Sequence, residues 1–133
     1  MIRYVDSSVV LRALFGEAGA MALPEAACSS RILALEAARA VDRRRALRLL
    51  DRDALAAKTA ELSQLVATLA LATVSDEILA RAGSPFPVPV RALDAIHVAT
   101  AEAFARRDEV EFWTHDARQA DAAHARGLGV RGV

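Results

Sequence analysis

Two stretches far apart in this chain are built alike. Ile2-Arg-Tyr-Val5 is a short β-type run that stops at Asp6-Ser7-Ser8, after which Val9, Val10, Ala13 and Leu14 take up helical spacing. Val110-Glu-Phe-Trp-Thr114 alternates like a strand, stops at His115-Asp116, and gives way to Ala117, Ala120, Ala123 and His124 at helical spacing. This alternation of strand and helix predicts an α/β fold with a parallel sheet and helices on both faces. Strand tips in such a sheet share one edge, and ligands bind outside the carboxyl ends of the strands. If the two strands are neighbours, about 4.8 Å apart, Asp6 and Asp116 stand within reach of one cation. The plainer alternative is that Asp6 or Ser7 caps a helix, a common role for both residue types.

Between these units, Gly16 and Gly19 close the first helix, and Ala20 to Ala27 forms a second short helical piece interrupted by Pro24. Cys28-Ser-Ser30 is either a brief second strand or a cap. No glycine occurs between Gly19 and Gly83, so the middle of the chain is a helical block and not a linker. It comprises Arg31–Arg39, an arginine-rich stretch from Asp42 to Asp53, and a continuing helix from Ala54 to Ala67. Ala70–Val74 follows as a buried strand. Ser75 then caps a short helix with acids in its first turn, and Gly83 ends it. Gly127 terminates the last helix, and Leu128–Val130 forms an edge strand. With no repeats, linkers or low-complexity segments, residues 1–133 are expected to form one domain.

Composition narrows the function classes. The chain is 54 % hydrophobic but only 5 % aromatic, so its core must be aliphatic and alanine-rich. Formal net charge is zero, which rules out a molecule that attracts nucleic acid by overall charge. Lys58 is the one lysine among 17 basic residues; arginine suits bidentate phosphate binding, but a uniform excess fits codon bias better. Cys28 is alone and forms no intramolecular disulfide. Neither a signal-peptide pattern nor an 18-residue uncharged span occurs, so a soluble, cytoplasmic protein without membrane association is expected.

Two further acids sit where acids are out of place. Asp94 opens an otherwise apolar helix in which Leu93, Ile96, Ala99, Thr100, Ala103 and Phe104 recur at helical spacing. The Pro85-Phe-Pro-Val-Pro89 run holds the start of this helix near Arg91, so Asp94 falls in its first turn. The helix dipole stabilises a carboxylate there by roughly 0.3–1 kcal/mol, against several kcal/mol for burying an unpaired ion. His97, one turn on, either packs in the core, orients Asp94 by a hydrogen bond or touches a ligand; packing with an orienting bond is the favoured reading. Glu36 shares an apolar stripe with Leu33 and Ala40, where the bland alternative is a surface pair with Arg39. Most arginine-rich runs like Asp42–Asp53 are solvated helix faces, and a minority track phosphates.

Four carboxylates in one cleft repel, and without a cation at least one should be protonated. Oxygen-only ligands favour magnesium or manganese over zinc. A water bound to such an ion has a lowered pKa and attacks phosphodiesters, which is nuclease chemistry. Ser7 and Thr114 supply hydroxyls beside the strand-tip acids for a metal-bound water or a phosphate oxygen. A receiver-like or phosphatase-like phosphoryl-transfer domain would want adjacent acids or an Asp-x-Asp tip, which Asp6-Ser-Ser does not supply; a non-catalytic interaction module is the other alternative.

Taken together, the strand ending in Asp6-Ser7, Glu36 in Leu-Glu-Ala-Ala-Arg, the Leu93-Asp-Ala-Ile-His97-Val-Ala-Thr-Ala101 box and Thr114-His-Asp116 resemble the PIN-domain ribonucleases, and in size the VapC-type toxins of bacterial toxin–antitoxin pairs. The resemblance spans essentially the whole chain, with the Leu-Asp-Ala-x-His box its most specific part. It implies a three-layer sandwich around a short parallel sheet of about four or five strands. It also implies a magnesium- or manganese-dependent endoribonuclease with Asp6, Glu36, Asp94 and Asp116 as the acidic quartet, of which Asp6, Asp94 and Asp116 hold metal. Ser7, Thr114 and His97 would support the quartet, Arg43, Arg44 and Arg45 are candidate RNA contacts, and Asp121 is peripheral. A small antitoxin and a homodimer are implied partners.

Overall fold

The alternation becomes a five-stranded, all-parallel sheet flanked by six helices in the computed structural model, which describes residues 1–133. In chain order the elements are β1 (Ile2–Val5), α1 (Ser7–Leu14), β2 (Cys28–Ser30), α2 (Ile32–Ala46), α3 (Arg52–Ala67) and β3 (Ala70–Ala72). They continue as α4 (Asp76–Ala82), α5 (Ala92–Ala105), β4 (Val110–Trp113), α6 (Ala117–Ala125) and β5 (Gly129–Arg131). Spatial order is β3-β2-β1-β4-β5. The chain thus winds outward from β1 to one side, then returns and winds outward on the other. The reversal lies between β1 and β4, whose register pairs Val5 with Trp113, so Asp6 and Thr114 leave the sheet side by side. This is the crevice where open α/β sheets bind ligands.

Strand periodicity sorts the core into two halves. Val5 and Trp113 point toward α1–α3, where they pack with Val9, Val10, Leu14 and Leu33. Tyr4 and Phe112 point the other way, toward α5 and α6, with Val98, Ala101 and Ala122. Tyr4 stacks on Phe112 with ring centroids 5.2 Å apart. Both faces of the central strands are therefore covered, as a parallel sheet requires. No helix is long and apolar enough to cross a membrane.

Several expectations need correction. Ala20–Ala27 is not a helical piece but an irregular connection, closed by Ala26 at φ +53°. Cys28–Ser30 is a strand, fully buried in the sheet. The helical block over residues 42–67 is not continuous: α2 ends at Ala46, Arg48 turns left-handed at φ +58°, and Asp51 caps α3 through its hydrogen bond from Ala54 N. Ala70–Ala72 is an edge strand with partial exposure, so Ala70–Val74 is not a buried strand. On α5, Leu93 is 48 % exposed, and the buried face is Ala95, His97, Val98, Ala99, Thr100 and Ala101. Small side chains let α5 lie close against the sheet, and Leu93 sits just ahead of that contact.

Leu33 and Ala37, both fully buried, flank Glu36 on α2 and anchor the helix that carries it. Leu33→Ala is expected to lower the unfolding free energy by about 2–5 kcal/mol, read as a fall in the urea midpoint at constant slope. A change below about 1 kcal/mol would mean that α2 is not held by this side chain.

Candidate active site

Asp6 caps α1. Its Oδ1 accepts from Ser8 N (3.0 Å), Ser8 Oγ (2.5 Å) and Val9 N (3.3 Å). Asp116 caps α6 in the same way, with Oδ1 accepting from Arg118 N (2.8 Å) and Gln119 N (3.4 Å). In both residues the second carboxylate oxygen has no hydrogen-bond partner. Capping and ligand binding are thus compatible: one oxygen fixes the side chain and the other is left to act.

The hydroxyls differ from expectation. Ser8, not Ser7, serves Asp6, and Ser8 Oγ also accepts from His115 N (2.8 Å), tying the two strand tips together. Ser7 Oγ instead donates to Glu36 Oε2 at 3.3 Å. Thr114 is fully buried; its Oγ1 accepts from Asp116 N (3.0 Å) and meets Ser8 Oγ at 3.3 Å. It is therefore spent on positioning both tips and is not available to a phosphate oxygen.

His97 does not orient Asp94. It is buried, its Nε2 lies 2.5 Å from Glu36 Oε1, and its Nδ1 lies 2.7 Å from the Tyr4 hydroxyl. Burial pushes the Tyr4 phenol well above its ordinary range, so the phenol stays protonated and donates to Nδ1. That assigns the ring proton to Nε2, which donates to Glu36. The alternative Glu36–Arg39 surface pair does not form: Arg39 pairs with Asp42 at 3.1 Å. Glu36 is thus held on both oxygens, by His97 and by Ser7.

Asp94 itself has its carbonyl oxygen held by Gln119 Nε2 at 3.1 Å, which joins α5 to α6. Its carboxyl is pushed up, first by desolvation and then by the negative charges of Asp116, Glu36 and Asp6, with His97 opposing. Asp6 is pushed up by burial, against the hydrogen bonds from Ser8 and from Val9 N. All four expected acids therefore share one field at the carboxyl edge of the sheet. They do not form a closed cage, since no three acidic, His or Cys groups stand tightly enough to hold an ion as they are. An all-oxygen set of this kind, with raised carboxyls on Asp6 and Asp94 and two uncommitted oxygens, has the donor chemistry that suits a hard divalent cation.

Of the three arginines, Arg44 is tied to Glu17 (3.1 Å) and lies over the Phe15 ring at 3.6 Å, and Arg45 is tied to Asp42 (2.8 Å). Arg43 is exposed, and seven residues place it on the same helix face as Glu36, roughly 10 Å further along. Sequence reasoning overlooked Tyr4, Ser8 and Gln119. Gln119 had a signal, because Asp116-x-x-Gln119 is a capping-box spacing. Its side chain reaches Asp94 instead, since Asp116 N is already bonded to Thr114.

No curated protein matches the chain significantly. The family model for the PIN domain matches residues 3–125, a span that contains all four acids. That match displaces the receiver-like or phosphatase-like alternative. The chain belongs to the PIN-domain family, whose members are generally metal-dependent nucleases.

Proposed function

We propose that the protein is a magnesium- or manganese-dependent endoribonuclease that acts as the toxin of a VapBC-type toxin–antitoxin pair. The observation that carries the nuclease reading is the convergence of Asp6, Glu36, Asp94 and Asp116 on one field, expressed in the raised carboxyl of Asp94. Asp6, Asp94 and Asp116 would hold the ion, which when bound supplies charge neutralisation and an acidified water. Asp6 and Asp116 offer their uncommitted oxygens from rigid helix caps. Glu36, with Oε1 bonded to His97, keeps Oε2 under only a long bond from Ser7, and that oxygen orients the attacking water and takes its proton. The toxin assignment adds a small antitoxin that covers the cleft, a homodimer and a cytoplasmic setting. Exposed Leu35, Leu47 and Leu49 on α2 and the following turn supply apolar surface for a protein partner.

Purified, antitoxin-free protein is expected to cut a pool of structured RNAs with magnesium or manganese and to stop with EDTA. Cutting unaffected by EDTA would overturn the mechanism. Manganese should also raise the melting temperature at neutral pH, because binding to the folded state alone adds stability. The gain should shrink as pH falls through the raised carboxyls of Asp6 and Asp94, where protons compete with the ion.

A further inference from the structure

A cavity of about 530 Å³ opens beside Asp94 and Asp116, within the range of roughly 300–1,000 Å³ typical of small-molecule sites. One side is the Val88-Pro89-Val90 segment that leads into α5, and α6 forms another. The Gln119–Asp94 bond of 3.1 Å joins α5 to α6 beside the cavity, so its shape exists before any ligand arrives. Two arginines line it, Arg91 from the segment before α5 and Arg118 from α6. Arg91 is three residues from Asp94, and Arg118 is two from Asp116 and three from Asp121. Neither guanidinium takes part in an ion pair. Arginines this close to carboxylates ordinarily pair with them. Here their charge is left for whatever enters the cavity.

A polyanion approaching four carboxylates is repelled unless cationic groups flank them. Arginine forks suit phosphate oxygens, and the apolar Val88–Val90 segment suits an unstacked base. Resting on the nuclease reading above, we propose that this cavity is the subsite for the nucleotide adjoining the scissile phosphate of a single-stranded RNA. Arg91 and Arg118 grip its backbone phosphate, and the Val88–Val90 wall receives its base. Asp121, which also lines the cavity, offers an acceptor for a base or ribose hydroxyl.

The test is binding of a short, labelled single-stranded RNA in EDTA across a salt series, with cleavage measured separately in magnesium. Arg91→Ala and Arg118→Ala should each weaken binding several-fold and together more than tenfold. The slope of log K against log salt should fall by about 0.7 for each phosphate that is no longer neutralised. In cleavage the double variant should raise KM while keeping kcat within a few-fold, since the two arginines act on substrate and transition state alike. Arg107→Ala is the control, because Arg107 lines a cavity of similar size, about 550 Å³, beyond the opposite edge of the strands. Unchanged affinity and slope in the double variant, while the native protein still cuts RNA, would overturn the subsite and leave the nuclease reading intact. An equal weakening in Arg107→Ala would overturn it too, by making binding diffuse. A native protein that neither binds nor cuts RNA would overturn the nuclease reading, and the subsite with it.

Discussion

Asp94→Asn is expected to stop RNA cleavage while making the metal-free protein more resistant to heat. The two effects have one cause. Asp94 is held among Asp116, Glu36 and Asp6, and its charged form is disfavoured by desolvation and by their charges. Asparagine keeps the shape and removes the charge, so the repulsion goes and the melting temperature rises by a few degrees at neutral pH. On the proposed function, cleavage would lose a ligand of an ion whose stabilisation of transition-state charge is worth several kcal/mol, hence at least about 10²-fold in rate. The pH dependence has a definite sign. Where the folded pKa lies above the ordinary value of 3.8, the folded state binds more protons between the two values, and Asp94's contribution to stability falls as pH rises through that window. The native protein and Asp94→Asn should therefore be closest in stability at low pH and diverge toward neutrality. A variant that melts no higher than the native protein at pH 7, or that still cuts RNA, would show that Asp94 does not carry the charge conflict.

His97→Ala is expected to damage both stability and turnover. His97 is buried between Tyr4 and Glu36, so truncation leaves a void, strands the Tyr4 hydroxyl and frees Glu36 Oε1. The void and the orphaned phenol together cost about 2–5 kcal/mol, a large share of the roughly 5–15 kcal/mol that holds a domain of this kind. Cleavage should fall about 10- to 100-fold through loss of Glu36 orientation, as when the partner of a metal-site ligand is removed. His97→Gln separates the effects, because a glutamine amide fills part of the space and still donates toward Glu36. It should recover more rate than stability. Tyr4→Phe and Glu36→Gln should be non-additive in a double-mutant cycle, coupled through His97 by about 0.5–3 kcal/mol. Strict additivity would mean that the chain of hydrogen bonds is not used as a unit.

The acids were legible because each breaks a local pattern. Asp6 and Asp116 stop β-type runs, and Asp94 and Glu36 interrupt apolar helix stripes, so periodicity alone isolates them. Their partners were not legible, because they satisfy the patterns they sit in. Tyr4 is an ordinary inward strand residue by alternation, yet its hydroxyl reaches a histidine 93 positions away. Ser7 and Ser8 are equivalent by composition, and only the folded chain gives Ser8 to Asp6 and Ser7 to Glu36. Leu93 shares the helical spacing of the apolar stripe yet is half-exposed, because spacing marks a stripe without marking where the packing against the sheet begins. The break at Arg48 had no glycine or proline to announce it, and an arginine occupies the left-handed position.

What the sequence by itself determined is the class of fold and where its acids stand on that fold. Alternating strand and helix periods leave a parallel sheet as the way to bury both sets of apolar residues, and carboxylates at strand tips put negative charge at its carboxyl edge. What only the tertiary structure decided is which strands adjoin and which side chains meet. The reversal of winding between β1 and β4 brings Asp6 beside Thr114, two residues ahead of Asp116, and Glu36 of α2 meets His97 of α5 although the two helices lie on opposite faces of the sheet. Those meetings depend on packing between segments far apart in the chain. A local pattern sets which face of an element is apolar, whereas the neighbour that covers it is chosen by the shape and volume of the whole core.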